Sequence, residues 1–211
     1  MTRRLPKGSL AGDAYTSIGA LSGLVAIIMT KRHTRLVNAP PDSAISSWFP
    51  GAYLLDSYSA KAASSLDLSM RDLLQLVLTS QPAWIRGLLA LRDAAVRPFG
   101  IRTADRLQKE NPSDDSFGFF SVLDERMDEI ILGGDDKHLD FRLSLMRRPL
   151  ADEDELLLTT VVRVHGFLGR AYIHAIHPFH HIVVRRTLLR LCRLLDARVT
   201  GETTTHMEPL G

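Results

Sequence analysis

Four histidines fall within eight residues near the end of this chain: His174, His177, His180 and His181. Imidazoles three or four positions apart share one face of a helix. Such pairs can hold a metal ion or exchange protons near neutral pH. The surrounding pattern argues against a metal. Arg170, His174, His177, His181 and Arg185 fall on one helical stripe, and a face flanked by arginines repels a cation. That stripe is read as solvated, and neither a metal nor a cofactor is expected. His180 differs, because it sits at the edge of the apolar stripe Tyr172, Ile176, Phe179 and Val183. From there a side chain reaches a cavity mouth between helix and sheet.

A second set is His138, Asp140 and Arg142, with Arg163 and His165. If residues 139–145 and 156–165 form a hairpin turning near Ala151, Asp140 lies across from Arg163 and His138 across from His165. A His–Asp pair beside arginines has the parts of an acid–base set or an anion site. The same alternation puts it opposite the core, where a cross-strand ion pair is the simpler account. Asp135 and Asp136 precede it and match neither calcium nor zinc spacing; they read as a charged turn. Cys192 lies beside Arg190 and Arg193, which would lower its pKa. There is no G-x-S-x-G element and no phosphate loop.

These residues need elements to place them. Leu139, Phe141, Leu143 and Leu145 alternate with His138, Asp140, Arg142 and Ser144, so a strand here has one apolar and one polar face. Residues 156–165 are β-rich and supply its partner, giving a hairpin with a dry and a wet face. Residues 52–61 read as the first strand. Ser69 caps a helix with Met70, Leu73, Leu74, Val77 and Leu78 on one side. Pro82 opens a second helix striped with Trp84, Leu88, Leu91 and Ala95. Residues 117–123 and 129–132 are two more strands, with Gly133-Gly134 as the start of a turn. A long helix from about 168 to 195 closes the pattern, with Pro178 inside it. The fold class is α+β: a curved antiparallel sheet gripping a long C-terminal helix, with two helices inserted after the first strand.

The chain has 211 residues, 45% of them apolar, which suits one domain at 36–197 and a flexible tail at 198–211. A net charge of +2 gives no basic field for nucleic acid, and one cysteine allows no disulfide framework. The apolar run 15–29 lies between basic clusters and is short for a membrane span. Residues 1–35 are read as a leader or extension, with Met29 as the functional start. An export signal and an anchor are the alternatives. A cytoplasmic location is expected, with membrane contact only if 15–29 anchors the chain.

Several motifs occur in order: Trp84 with Arg92-Asp93, Pro98-Phe99-Gly100, residues 133–142 (GGDDKHLDFR), Thr159-Thr160-Val161-Val162, Gly169-Arg170-Ala171-Tyr172, and Pro178-Phe179-His180. In these the chain resembles the bacterial domain-of-unknown-function family 2867 over about residues 36–195. The resemblance implies a helix-grip, START-like fold with a pocket, and carries over no catalytic residue. Such domains also occur fused to short-chain dehydrogenase-like domains, so a dehydrogenase-like partner is one implied role. This chain has no glycine-rich dinucleotide fingerprint of its own.

The expected function is binding of a small hydrophobic molecule or lipid between sheet and terminal helix. The expected lining is Trp84, Leu88, Phe119 or Phe120, Phe141, Leu143, Thr160, Val162, Tyr172, Phe179 and His180. The alternative is an enzyme of the cyclase, hydrolase or isomerase type in the same cavity, with His180, Tyr172 and Asp56 moving protons.

Overall fold

The computed structural model describes residues 32–65, 67–79, 83, 87, 116–117, 120–199 and 201. These belong to one compact unit beginning at Arg32. The expected second helix, with Trp84 and Leu88, and also Phe119, lie outside the described residues.

Among the described residues, seven strands form one antiparallel sheet: β1 (Arg35–Val37), β2 (Leu54–Ala63), β3 (Ser116–Phe117), β4 (Phe120–Glu125), β5 (Glu129–Asp135), β6 (Leu139–Pro149) and β7 (Glu153–Val164). Their order is β1-β2-β7-β6-β5-β4-β3. The later strands are a meander, and β2 joins it along the outer side of β7. Helix α1 (Met70–Thr79) follows β2, and helix α2 (Gly166–Val199) follows β7. The curved sheet thus grips a long C-terminal helix, as the patterning implied.

Local chemistry sets these elements. Ser69 and Asp72 cap α1 reciprocally: the Asp72 amide donates to Ser69 Oγ, and the Ser69 amide donates to the Asp72 carboxylate. Met70, Leu73 and Leu74 turn inward from this helix. Between β7 and α2 the chain reverses at Gly166, whose φ of +76° favours glycine. Three residues on, a Cβ at Gly169 would lie 2.2 Å from the His138 carbonyl oxygen. The absent side chain lets the start of α2 lie directly on the β5–β6 turn.

The hairpin has the expected register, with Asp140 opposite Arg163. Two other expectations are corrected. Gly133 and Gly134 are not a turn; they lie in β5, and the turn falls at residues 136–138. A Cβ on Gly133 would lie 2.6 Å from a Leu123 methyl, and one on Gly134 would lie 3.0 Å from the Phe141 ring. The glycines are therefore positions where neighbours cover the strand. Nor is the polar face of the hairpin wholly wet. Residues 38–52 cross it, and Ala44, Ile45, Trp48, Phe49 and Ala52 pack on Ile131 and Val161. Under this segment Glu129 is buried, accepting from the Ala44 amide and from the hydroxyls of Ser43 and Ser144. A buried carboxylate is tolerable when donors surround it in this way.

The main core lies on the other, concave face. Tyr58, Ala60 and Ala62 of β2, Ile130 and Leu132 of β5, Leu145 of β6 and Leu156 of β7 pack on Leu73, Leu188, Leu191 and Leu195. A smaller cluster of Leu54, Leu139, Val162 and Ile173 covers the start of α2.

Candidate functional site

Alternation along β2 turns Leu54, Asp56, Tyr58, Ala60 and Ala62 to the concave face. Asp56 is the charged residue in that row, and it is only 7% exposed. Its cross-strand partner on β7 is Thr160, which pairs in turn with Leu143 of β6, and Leu143 with Leu132 of β5. One rung of the sheet thus runs from a carboxylate through a hydroxyl into apolar side chains.

Helix α2 brings imidazoles to the polar end of this rung. His180 Nε2 lies 3.0 Å from Asp56 Oδ2, and its aligned hydrogen bond goes to Oδ1 at 3.3 Å. His181 Nδ1 is 3.8 Å from Oδ2 and accepts from the Tyr58 hydroxyl at 2.5 Å. On its outer side His181 Nε2 meets His177 Nε2 at 3.0 Å. On this rung two buried oxygens, Asp56 Oδ2 and Thr160 Oγ1, have no aligned hydrogen-bond partner among the described residues, though Oδ2 keeps its 3.0 Å contact with His180. They belong to the register pair at the centre of the site.

The electrostatics follow from this packing. Burial holds His181 below the ordinary histidine value, and the neighbouring His177, His180 and Arg185 act in the same direction; Asp56 opposes them. Burial also raises the Tyr58 hydroxyl, and the Asp56 carboxylate adds to that shift. A neutral His181 beside a protonated Tyr58 fixes the direction of the bond: tyrosine donates and imidazole accepts.

Asp56 is also among the residues that line an open cleft of about 620 Å³, together with Leu36–Ala39, Leu55 and Ser57.

The expected lining is only partly brought together. Thr160 and His180 meet at Asp56. Leu143 is on the same rung, and Phe141 is on the next, half-buried among the residues that cover the start of α2. Val162 is buried there as well. Tyr172 packs with that cluster, two turns and ~12 Å along α2 from His180. It is therefore set apart from the Asp56–His180 pair. Phe179 is 53% exposed and does not face the sheet. The buried stripe of α2 runs through Ile173, Val184, Leu188, Leu191 and Leu195 and takes in His180. It is rotated by about one residue from the stripe drawn on Phe179. The solvated-stripe expectation is corrected for His181, which turns in to Tyr58. Spacing on α2 alone concealed this, because the partner sits on β2. Alternation from Asp56 to Tyr58 was the available signal.

The hairpin constellation serves another purpose. His165 pairs with Asp140 at 2.8 Å, and Arg142 pairs with Asp135. Arg142 and Arg163 lie 3.9 and 4.6 Å from the centre of the Trp48 ring, and Arg163 donates to the carbonyls of Ser47, Trp48 and Pro50. These groups clamp residues 38–52 to the sheet. Cys192 is fully buried, and burial pushes its thiol up to about 12, so the expected lowering by Arg190 and Arg193 does not occur. Among the described residues, no group of three or more His, Cys, Asp or Glu is placed to hold a metal, and no helix is long and apolar enough to cross a membrane.

Searches of curated proteins and of solved structures each returned no match. A family model described as "Protein of unknown function (DUF2867)" matches residues 48–187, a span holding Asp56, Tyr58, Thr160, His177, His180 and His181. The match covers well over half of the chain, and the protein is a member of that family.

Proposed function

We propose that the protein binds a small, largely apolar molecule on the concave face, between the sheet and α2. Asp56, His180 and Thr160 take its polar end, and Leu143, Phe141 and Tyr172 line its body. One observation carries this reading: Asp56 Oδ2 and Thr160 Oγ1 are buried, adjacent in register and without an aligned hydrogen-bond partner among the described residues. Thr160 Oγ1 has no partner and Asp56 Oδ2 has only its unaligned contact with His180, so a bound donor would relieve both. The carboxylate can only accept, so the ligand's polar group is a hydroxyl, an amide or an ammonium. The START-like fold implied by the family resemblance, with its pocket between sheet and helix, would put the ligand in the same location.

Native mass spectrometry and thermal-shift screening with apolar alcohols and amides test this. A hit should weaken tenfold or more in Asp56→Asn, at ~1.5–3 kcal/mol for a hydrogen bond to a charged group, and less in Thr160→Val, at ~0.5–1.5 kcal/mol for a neutral one. It should be lost in Phe141→Arg. No stabilising compound and no co-purifying mass would defeat the proposal.

A second reading, an enzyme of the cyclase, hydrolase or isomerase type, draws support from the Asp56–His180 geometry. A carboxylate that holds one imidazole nitrogen leaves the other to exchange a proton with a bound molecule. Conversion of a bound hit, abolished by His180→Gln with binding retained, would establish it.

A further inference from the structure

The outer face of α2 is apolar where a solvated helix normally carries charge. Leu168, Ala175, Phe179 and Ile182 follow one another at helical spacing along it, and all four are exposed. Phe167, on the flank, is 82% exposed. Toward the C-terminus the same face carries Arg186, Arg190 and Arg193, all exposed and with no carboxylate partner among the described residues. The single acidic residue of α2, Asp196, is bonded to Arg32. The face is thus an apolar strip continued by unneutralised guanidinium groups, on a helix that is not apolar enough to cross a membrane.

We propose that this face docks on an anionic lipid bilayer. Phe179 and Ile182 enter the boundary between headgroups and acyl chains, Phe167 flanks the same surface ~18 Å away toward the start of α2, and Arg186, Arg190 and Arg193 meet the lipid phosphates. Charge selects this occupant over a second copy of the chain. Antiparallel packing of two such faces would set the arginines against Leu168 and Ala175, which offer no carboxylate. Parallel packing would set arginine on arginine.

The test is co-sedimentation of the full chain with phosphatidylcholine vesicles, with and without phosphatidylglycerol, at low and high salt. Binding should require the anionic lipid and weaken with salt. Phe179→Asp/Ile182→Asp and Arg186→Glu/Arg193→Glu should each lower the partition coefficient by roughly tenfold or more. All four positions are exposed, so both variants should keep the parent melting temperature, which serves as the folding control. No vesicle binding overturns the proposal. So does binding that either variant leaves unchanged, since the contact would then lie elsewhere or need only charge. A dimer dissolved by the first variant, without vesicle binding, assigns the face to self-association instead.

Discussion

His180 Nε2 lies 3.0 Å from Asp56 Oδ2, and the two belong to α2 and β2, elements joined through the concave core. The aspartate side chain is nearly fully buried and the histidine largely so. Removing one partner of such a pair costs more than the pair contributes, because the remaining group keeps its desolvation. His180→Ala should destabilise the fold by ~2–4 kcal/mol. Asp56→Asn, which keeps a hydrogen-bonding group of the same size against His180, should cost clearly less. Urea denaturation of both variants against the parent measures the difference.

His181 gives the fold a pH dependence. Its folded-state value is held below 6.5, so between that value and 6.5 the unfolded chain binds more protons than the native one. The contribution is therefore complete above 6.5 and is lost as pH falls through the folded value. Melting temperature should drop on acidification from neutrality, before the carboxylates titrate. His181→Gln should flatten that slope, and an unchanged slope would remove His181 as its source.

Gly169→Ala probes the seating of α2. The new Cβ would meet the backbone oxygen of His138, which has no side-chain freedom with which to yield. A loss of ~1–3 kcal/mol is expected, as for other overpacked sites, whereas Ala in an unobstructed helix usually stabilises. The sign of the change in melting temperature decides the matter.

Glu129→Ala would leave the Ser43 and Ser144 hydroxyls and the Ala44 amide without their acceptor. The cost should be ~2–4 kcal/mol, and hydrogen exchange at Ala44 should accelerate as residues 38–52 loosen. Preserved protection at Ala44 would show that the aromatic and arginine contacts around Trp48 suffice.

Cys192 should resist alkylation in the native state. With its thiol raised to about 12 and no exposed surface, labelling at pH 8 should follow global unfolding. Fast labelling without denaturant would contradict its placement.

The sheet and its terminal helix could be read from the sequence because period-two and helical patterns are strong in residues 139–145, 70–78 and 184–195. The Asp140–Arg163 register followed from turn position alone. Two strand glycines, Gly133 and Gly134, read as a turn in sequence because glycine marks both sharp bends and crowded strands. Which neighbour crowds them is a tertiary fact. The helix stripe was misplaced by about one residue because Phe179 is apolar yet faces outward, while His180, polar, faces in. Apolarity alone decides such a case wrongly when a buried carboxylate waits on another strand. For the same reason Asp56 and His180 can be nominated together on reach, whereas the Tyr58–His181–His177 chain has only the β2 alternation from Asp56 to Tyr58 to announce it.

One consequence concerns biosynthesis. Asp56 finds its ladder partner Thr160 roughly a hundred residues later, and most of α2 comes after that. On the ribosome β2 must therefore wait, its inward edge uncovered, until the β6–β7 hairpin emerges to meet it. Docking that depends on such distant segments is slow and leaves room for mispairing. The hairpin needs only its own neighbours, so it should be the seed on which the earlier strand later settles.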